Sequence, residues 1–157
     1  MNDAVTVPPA ERYFEDYQVG MVSEIGSITV TADEIVEFAA RYDPQEMHVN
    51  PVAAASGPFG GLIASGWHTA ALMMRMFADH YVSKTAGLAA PGIDELRWVR
   101  PVRPGDTLRA RITVLETQRS RSKPDRGVVR GLVEVLNQNG ELVMSLKPIN
   151  LVRCRDA

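Results

Sequence analysis

Ser65-Gly66-Trp67-His68-Thr69-Ala70-Ala71-Leu72-Met73-Met74-Arg75-Met76-Phe77-Ala78-Asp79-His80-Tyr81 is the stretch on which the fold turns. Ala70, Ala71, Met73, Met74, Phe77 and Tyr81 leave few polar positions before Asp79, which predicts a helix with most of its circumference buried. Such a helix belongs inside a domain. Its expected span is about 66–84, with Gly87 as the stop.

The partners of that helix lie on either side of it. Downstream, a strand is expected over 93–99, closed by Pro101 and the turn cluster Pro104-Gly105-Asp106. Leu108, Ala110, Ile112 and Val114 alternate with Arg109, Arg111 and Thr113, the pattern of a half-buried strand. Strands over 128–136 and 142–152 follow, joined by Asn137-Gln138-Asn139-Gly140, whose Asn-Gly pair marks a hairpin. A loop over 119–127 with Pro124-Asp125 links the middle pair. Upstream, a first strand is expected near 23–29. Thr31 and Glu34 then form a capping box, and Ile35, Phe38, Ala39 and Tyr42 give a short amphipathic helix that Pro44 stops near Tyr42. Residues 43–66 read as loop, with one helical turn over 52–55 behind an Asn50 cap and Pro51. Early helices and late antiparallel strands define an α+β chain in which a sheet packs on one long helix.

Size and composition fit that reading. A chain of 157 residues, 45% hydrophobic and 23% charged, makes one globular domain with a self-sufficient core. No repeat or low-complexity tract divides it; residues 1–12 are expected to be a loose leading segment and 13–157 the domain. Cys154 is the single cysteine and forms no internal disulfide, and His48, His68 and His80 lack zinc-ligand spacing, so no metal is expected. The first ten residues carry Asp3 and no basic cluster before an apolar run, the opposite of a secretory signal. The longest stretch without Asp, Glu, Lys or Arg, from Met47 to Met74, contains two prolines, four glycines and two histidines, which argues against a membrane span. A cytoplasmic protein is the expectation.

Asp43 stands four residues ahead of the charge-free stretch, and His48 lies five residues beyond Asp43. A carboxylate and an imidazole on a short loop can hold one water between them and exchange protons near neutral pH. Each also has an ordinary structural role, Asp as a turn former and His as a packing residue. Ser65-Gly66-Trp67 opens the buried helix, where unpaired N–H groups and the helix dipole favour a developing oxyanion, and glycine admits a substrate oxygen. Gly66 serves equally to let the helix pack closely. His68 reads as a packing residue and His80 as a solvated one.

These segments resemble a known family. Tyr42-Asp43-Pro44-Gln45-Glu46-Met47-His48, Gly60-Gly61-Leu62-Ile63-Ala64-Ser65-Gly66 and Arg100-Pro101-Val102-Arg103-Pro104-Gly105-Asp106-Thr107-Leu108 are similar to three landmarks of the MaoC-like dehydratases, relatives of the R-specific enoyl-CoA hydratases. The resemblance runs from about Tyr13 to Val152. It implies a single hot-dog fold, a long central helix wrapped by a curved antiparallel β-sheet. It also implies reversible addition of water to a trans-2-enoyl-CoA, giving a (R)-3-hydroxyacyl-CoA. Asp43 and His48 would be the catalytic pair, and the Gly66 N–H, flanked by Ser65 and Trp67, would bind the thioester oxygen. No cofactor is implied, because coenzyme A is part of the acyl-CoA substrate. A homodimer joined edge to edge, or a higher assembly of such dimers, is expected in part because edge strands need covering.

Departures from the family pattern are local. Gln45-Glu46 replaces Asn-Pro, Asn50 replaces an Asp, Ser65 replaces a His, and Met74 stands where some hydratases carry a serine. Glu46 is expected to point to solvent, because a second buried charge would need a partner. Two rival readings keep the fold: a thioesterase, which would release free CoA thiol, and a non-catalytic acyl-CoA-binding protein.

Charge is unevenly spread. Lys and Arg number 17 and Asp and Glu 19, a net charge of −2. Residues 1–96 hold four basic and thirteen acidic side chains, residues 97–130 ten and three, and residues 131–157 three and three. The basic middle makes Arg119, Arg121, Lys123 and Arg126 candidates for the CoA phosphates, against the plainer reading that arginines there solvate a sheet face. Nucleic acid is not an expected partner, since no aromatic residues interleave the basic ones.

Overall fold

The computed structural model describes residues 7–156. Five strands, β1 (Val22–Thr29), β2 (Gly87–Trp98), β3 (Thr107–Arg119), β4 (Arg126–Leu136) and β5 (Leu142–Arg153), form one antiparallel sheet in the order β1-β3-β4-β5-β2. Four helices, α1 (Ala32–Tyr42), α2 (Glu46–Val49), α3 (Pro51–Ala55) and α4 (Gly66–His80), complete the α+β hot-dog architecture. β1 and β2 are the two edges.

The core is the alternation made solid. Leu108, Ala110, Ile112 and Val114 of β3 are at most 2% exposed, and Val133, Val135, Val143 and Met144 are fully buried beside them. Met73, Met76 and Phe77 of α4 belong to the same apolar cluster. Each such side chain taken fully out of water stabilises the fold by about 1.5–3 kcal/mol. The capping box of α1 forms: Glu34 N–H donates to Thr31 Oγ1 at 3.2 Å and Thr31 N–H donates to Glu34 Oε2 at 2.9 Å. The Thr31 N–H and hydroxyl, both donating to Glu34 Oε2 at 2.9 Å, hold the Glu34 carboxyl below its usual pKa. Asn137 Oδ1 accepts from Asn139 and Glu141 N–H, with Gly140 at φ 74°, closing the β4–β5 hairpin.

Four features differ from the sequence reading. First, α4 ends at His80 instead of running to residue 84. Beyond Tyr81 the backbone turns toward the leading segment, where Ala10 O accepts from Lys84 and Thr85 N–H. Gly87 is not a helix stop: it opens β2 in a turn so tight that a Cβ there would lie 2.5 Å from Ser83 O. Second, β2 begins six residues ahead of the expected 93–99 strand. An edge strand exposed on both faces has no apolar alternation to betray it, and its register shifts at Gly87/Ala89, Ala89/Gly92 and Asp94/Arg97. Third, the expected 43–66 loop contains α2, where His48 and Val49 N–H both donate to Gln45 O. Fourth, α4 is not covered all round. The sheet takes one side, and Trp67 (58% exposed), Ala71, Met74 and Ala78 form an open stripe. Of the expected loose segment 1–12, residues 1–6 lie outside the described residues; Pro9–Glu11 forms a 3-10 turn and Arg12 is buried.

Candidate active site

Three backbone segments converge at the start of α4. Pro44 ends α1, and Asp43 caps it with its N–H on Ala39 O at 2.8 Å. α2 carries His48 back toward that cap. The buried segment 62–64 runs beside α2, with Ile63 N–H on Met47 O and Ala64 N–H on Val102 O, and delivers Ser65 and Gly66.

The side chains are fixed by directed bonds. His48 Nδ1 stands 2.7 Å from Ile63 O; a carbonyl only accepts, so Nδ1 carries a hydrogen and Nε2 is the nitrogen left free to take or give a proton. That Nε2 lies 3.5 Å from Asp43 Oδ2. The same carboxylate oxygen accepts from Ser65 Oγ at 2.7 Å, while Oδ1 accepts from Gln45 Nε2 at 2.7 Å. The Ser65 bond, then the Gln45 bond, hold the Asp43 carboxyl below its usual pKa against the opposing effect of desolvation. Asp43 is thus kept ionised beside His48 Nε2, which offers a lone pair whenever the ring is neutral. Two acceptors facing each other across 3.5 Å are arranged to take the two hydrogens of one water.

Ser65 is fully buried and serves as the N-cap of α4: its Oγ accepts from Trp67 N–H at 3.2 Å while donating to Asp43. Gly66 is the first helical residue, where an N–H has no intrahelical acceptor. The packing role weighed for Gly66 is seen directly. Trp98 Nε1 donates to Gly66 O at 2.8 Å, and a Cβ at residue 66 would lie 2.5 Å from the Trp98 ring. Trp67, expected among the substrate-binding residues, stands edge-on to Trp98 with centroids 5.1 Å apart, both half-exposed beside the helix start. Glu46 is exposed, as expected.

The structure therefore brings Asp43, His48, Ser65, Gly66 and Trp67 together. It does not bring Arg119, Arg121, Lys123 and Arg126 to them. Trp98 and Thr107 mark the site end of the sheet, whereas the loop 119–126 lies at the other end of β3, 13 residues or about 43 Å along an extended strand. Two of its cations are engaged locally: Arg126 makes two 2.8 Å bonds to Asp125, and Arg119 donates to the carbonyls of Pro124 and Asp156. His68 is the expected packing residue, stacked on Phe38 at 4.7 Å. Trp98 and Gln45 were missed. The only sequence signal for Trp98 was Gly66 itself, a glycine that asks for a close neighbour. Among the described residues no three His, Cys, Asp or Glu side chains cluster as a metal site would require, and no helix is long and apolar enough to cross a membrane.

The fold and the residues gathered at the start of α4 are those of a hot-dog family that includes hydratases and dehydratases. The chain belongs to the MaoC like domain family, whose model matches residues 18–136. It is 38% identical to the MaoC-like dehydratase from Rhodospirillum rubrum, with TM-score 0.86 over 93% of this chain and 99% of that one. It is 26% identical to the R-hydratase PhaJ1 from Pseudomonas aeruginosa, with TM-score 0.73 over 91% and 86%. A Mycobacterium tuberculosis protein described as having a double hotdog fold shares the fold at 18% identity and TM-score 0.74; 96% of this chain covers 46% of that one. Of the curated relatives it matches, the chain spans 97% of one, 32% of the next and 56% of a third.

Proposed function

We propose that the protein is an acyl-CoA hydro-lyase that adds water reversibly to a trans-2-enoyl-CoA, giving the (R)-3-hydroxyacyl-CoA. The observation that carries this reading is the 3.5 Å approach of Asp43 Oδ2 and His48 Nε2, both acceptors, beside the N–H of Gly66. Water bound between them loses one proton to the pair as its oxygen attacks C3 of the enoyl group. The thioester oxygen gathers negative charge and takes the hydrogen bond of Gly66 N–H, which strengthens as charge grows. The pair then returns the proton to C2, so that one water is added and no group leaves. In the dehydration direction the same groups act in reverse order. Acid/base residues of this kind contribute about 10²–10⁴-fold each. The reaction needs no cofactor beyond the CoA of its substrate, and a cytoplasmic setting suits such a substrate.

The assembly that fits is a homodimer paired through β2. This edge strand of twelve residues leaves its outer N–H and C=O groups open and exposes Leu88, Ile93 and Trp98. Trp67 of the open stripe on α4 stands edge-on to Trp98 of this strand, and Met74 shares a cavity wall with Leu88 and Ile93. The double hot-dog relative shows that two such units occur in one chain.

Purified protein should consume the enoyl-thioester absorbance of crotonyl-CoA or a longer homologue and yield the (R) product. Asp43→Asn and His48→Ala should each abolish turnover in protein that remains folded at the assay temperature, checked by circular dichroism. Turnover surviving both substitutions would sink the mechanism, and release of free CoA thiol without hydration would mark the protein as a hydrolase.

A further inference from the structure

Between the finish of α4 and strands β2, β4 and β5 lies a cavity of about 290 Å³, and none of Asp43, His48, Ser65 and Gly66 lines it. Met73, Phe77, Leu88, Val133 and Leu146 make most of its wall apolar. Three polar side chains interrupt that wall. The first is Asn150: side chains of β5 alternate between faces, and the buried Met144, Leu146 and Val152 share the face on which Asn150 stands. Its cross-strand neighbour, Val129, is buried too. A carboxamide therefore occupies a position where the pattern asks for a hydrocarbon. The other two are Tyr17 and Tyr81, 7% and 5% exposed, whose rings meet edge-on.

Among the described residues neither phenol oxygen nor the Asn150 amide has a hydrogen-bond partner, and none of these atoms is sealed into the packing. A tyrosine hydroxyl taken from bulk water normally finds a partner, because leaving it unpaired is costly. Burial raises both phenols, Tyr81 to about 12, so each keeps its proton at neutral pH and is a donor. The buried Arg12 guanidinium, 5.8 Å from the centre of the Tyr17 ring, adds positive potential at the same end. Donors beside a cation favour an acceptor oxygen. Apolar walls with a few polar groups directed into one space are the usual make-up of a small-molecule site.

We propose that this cavity binds a molecule with an apolar chain ending in an acceptor oxygen, the chain against Met73, Phe77 and Leu88 and the oxygen held by Tyr17, Tyr81 and Asn150. Two sources share that chemistry: the far end of an oxygenated acyl group on the thioester substrate, or a free fatty alcohol or acid. The first source rests on the hydratase reading. It also demands a long chain, because α4 advances about 10 Å from Gly66 to Met73 and about 22 Å to Tyr81.

Calorimetric titration with n-decanol tests the proposal without turnover, so its result stands whether or not an enoyl thioester is hydrated. The wild type should bind n-decanol about tenfold or more tightly than the variant Tyr17→Phe/Tyr81→Phe/Asn150→Leu, the loss expected for hydrogen bonds to one oxygen. Equal affinities, or no binding by the wild type, overturn it. Asn150→Leu alone guards against a folding artefact. A hydrocarbon there replaces an unpaired amide, so the urea midpoint should be no lower than that of the wild type while n-decanol affinity falls. A lowered midpoint would show that the amide is paired within the fold, and overturns its role. The source is read from kcat/KM for trans-2-hexadecenoyl-CoA and its terminally hydroxylated derivative. A preference for the hydroxylated thioester that the triple variant loses supports the acyl end of the substrate as the occupant. Equal kcat/KM, with n-decanol still bound, supports a free ligand in the same cavity.

Discussion

The two ends of α4 are built on different physics. At its start, eight residues from four segments are tied by five directed bonds: Ser65 to Asp43, Asp43 to Gln45, His48 to Ile63, Trp67 to Ser65 and Trp98 to Gly66. At its finish, Met73, Phe77 and Tyr81 face a cavity of about 290 Å³ walled also by Leu88, Val129 and Leu146. There the contacts are nondirectional. Tyr17 meets Tyr81 edge-on at 6.4 Å, and burial pushes the Tyr81 phenol up to about 12. A helix start leaves N–H groups unsatisfied and draws negative charge to itself, so it can organise a reaction. An apolar helix finish gives stability through area, and area does not choose an orientation. Substitutions at the two ends should therefore separate stability from activity.

Met76→Ala, at a residue 1% exposed near the finish, should cost about 2–5 kcal/mol of unfolding free energy, read by urea titration, while kcat of the folded protein changes less than about twofold. A large fall in kcat there would break the contrast. Gly66→Ala should cost less stability, about 1–3 kcal/mol, because the new Cβ must displace the Trp98 ring. It should nevertheless cut turnover at least about tenfold by shifting the N–H that meets the thioester oxygen. Ser65→Ala removes a cap worth about 1 kcal/mol. It also removes the principal hydrogen bond that keeps the Asp43 carboxyl below its usual pKa, so the acid limb of kcat/KM should move to higher pH. The sign for stability agrees: the contribution of ionised Asp43 is present above the ordinary carboxylate value and lost as pH falls through the lower folded one. A profile with an unmoved acid limb would remove Ser65 from the mechanism.

The smallest effect concerns His68, one turn inside the polar end. Its Nδ1 is buried without a hydrogen-bond partner among the described residues, and desolvation lowers the imidazole pKa against a smaller opposing pull from Glu34. The unfolded chain takes up this proton at higher pH than the folded one. Stability from the neutral ring is therefore whole above the ordinary imidazole value of about 6.5 and is lost as pH falls from there through the folded value. His68→Phe should match the wild type at pH 8 and lose less of its urea midpoint on acidification to pH 5. Equal losses would show that this ring does not report pH.

Legibility in the sequence followed the range of each interaction. The capping box of Thr31 and Glu34, the Pro44 stop, the Asn50-Pro51 turn and the alternation of β3 each depend on a few neighbouring residues, and each was readable. Asp43 and His48 were readable as chemistry, because residue type and spacing are local facts. Their arrangement was not. Exposed β2 lost its first half in the reading because no buried face imposed a pattern on it. The helix finish was overextended because apolar residues continue past His80 while the backbone departs to bind Ala10.

What the sequence determined by itself was therefore a set of local instructions: where helices cap, which strand face is apolar, and which carboxylate, imidazole and glycine were available. Only the tertiary structure decided that Oδ2 of Asp43 faces Nε2 of His48, that Ser65 ties this carboxylate to the start of α4, and that Trp98 lies on Gly66. It also decided that the basic loop stands at the far end of the sheet. The ring of His48 is aimed by a bond to Ile63 15 positions away, and the Ser65–Asp43 and Trp98–Gly66 meetings join residues 22 and 32 positions apart, at distances set by strand register and by the path of 99–106 between β2 and β3. Periodicity and capping are properties of a short window of chain. A hydrogen-bond distance across a site is a property of the whole packed domain, because every layer between the two atoms has to be in place before it is defined.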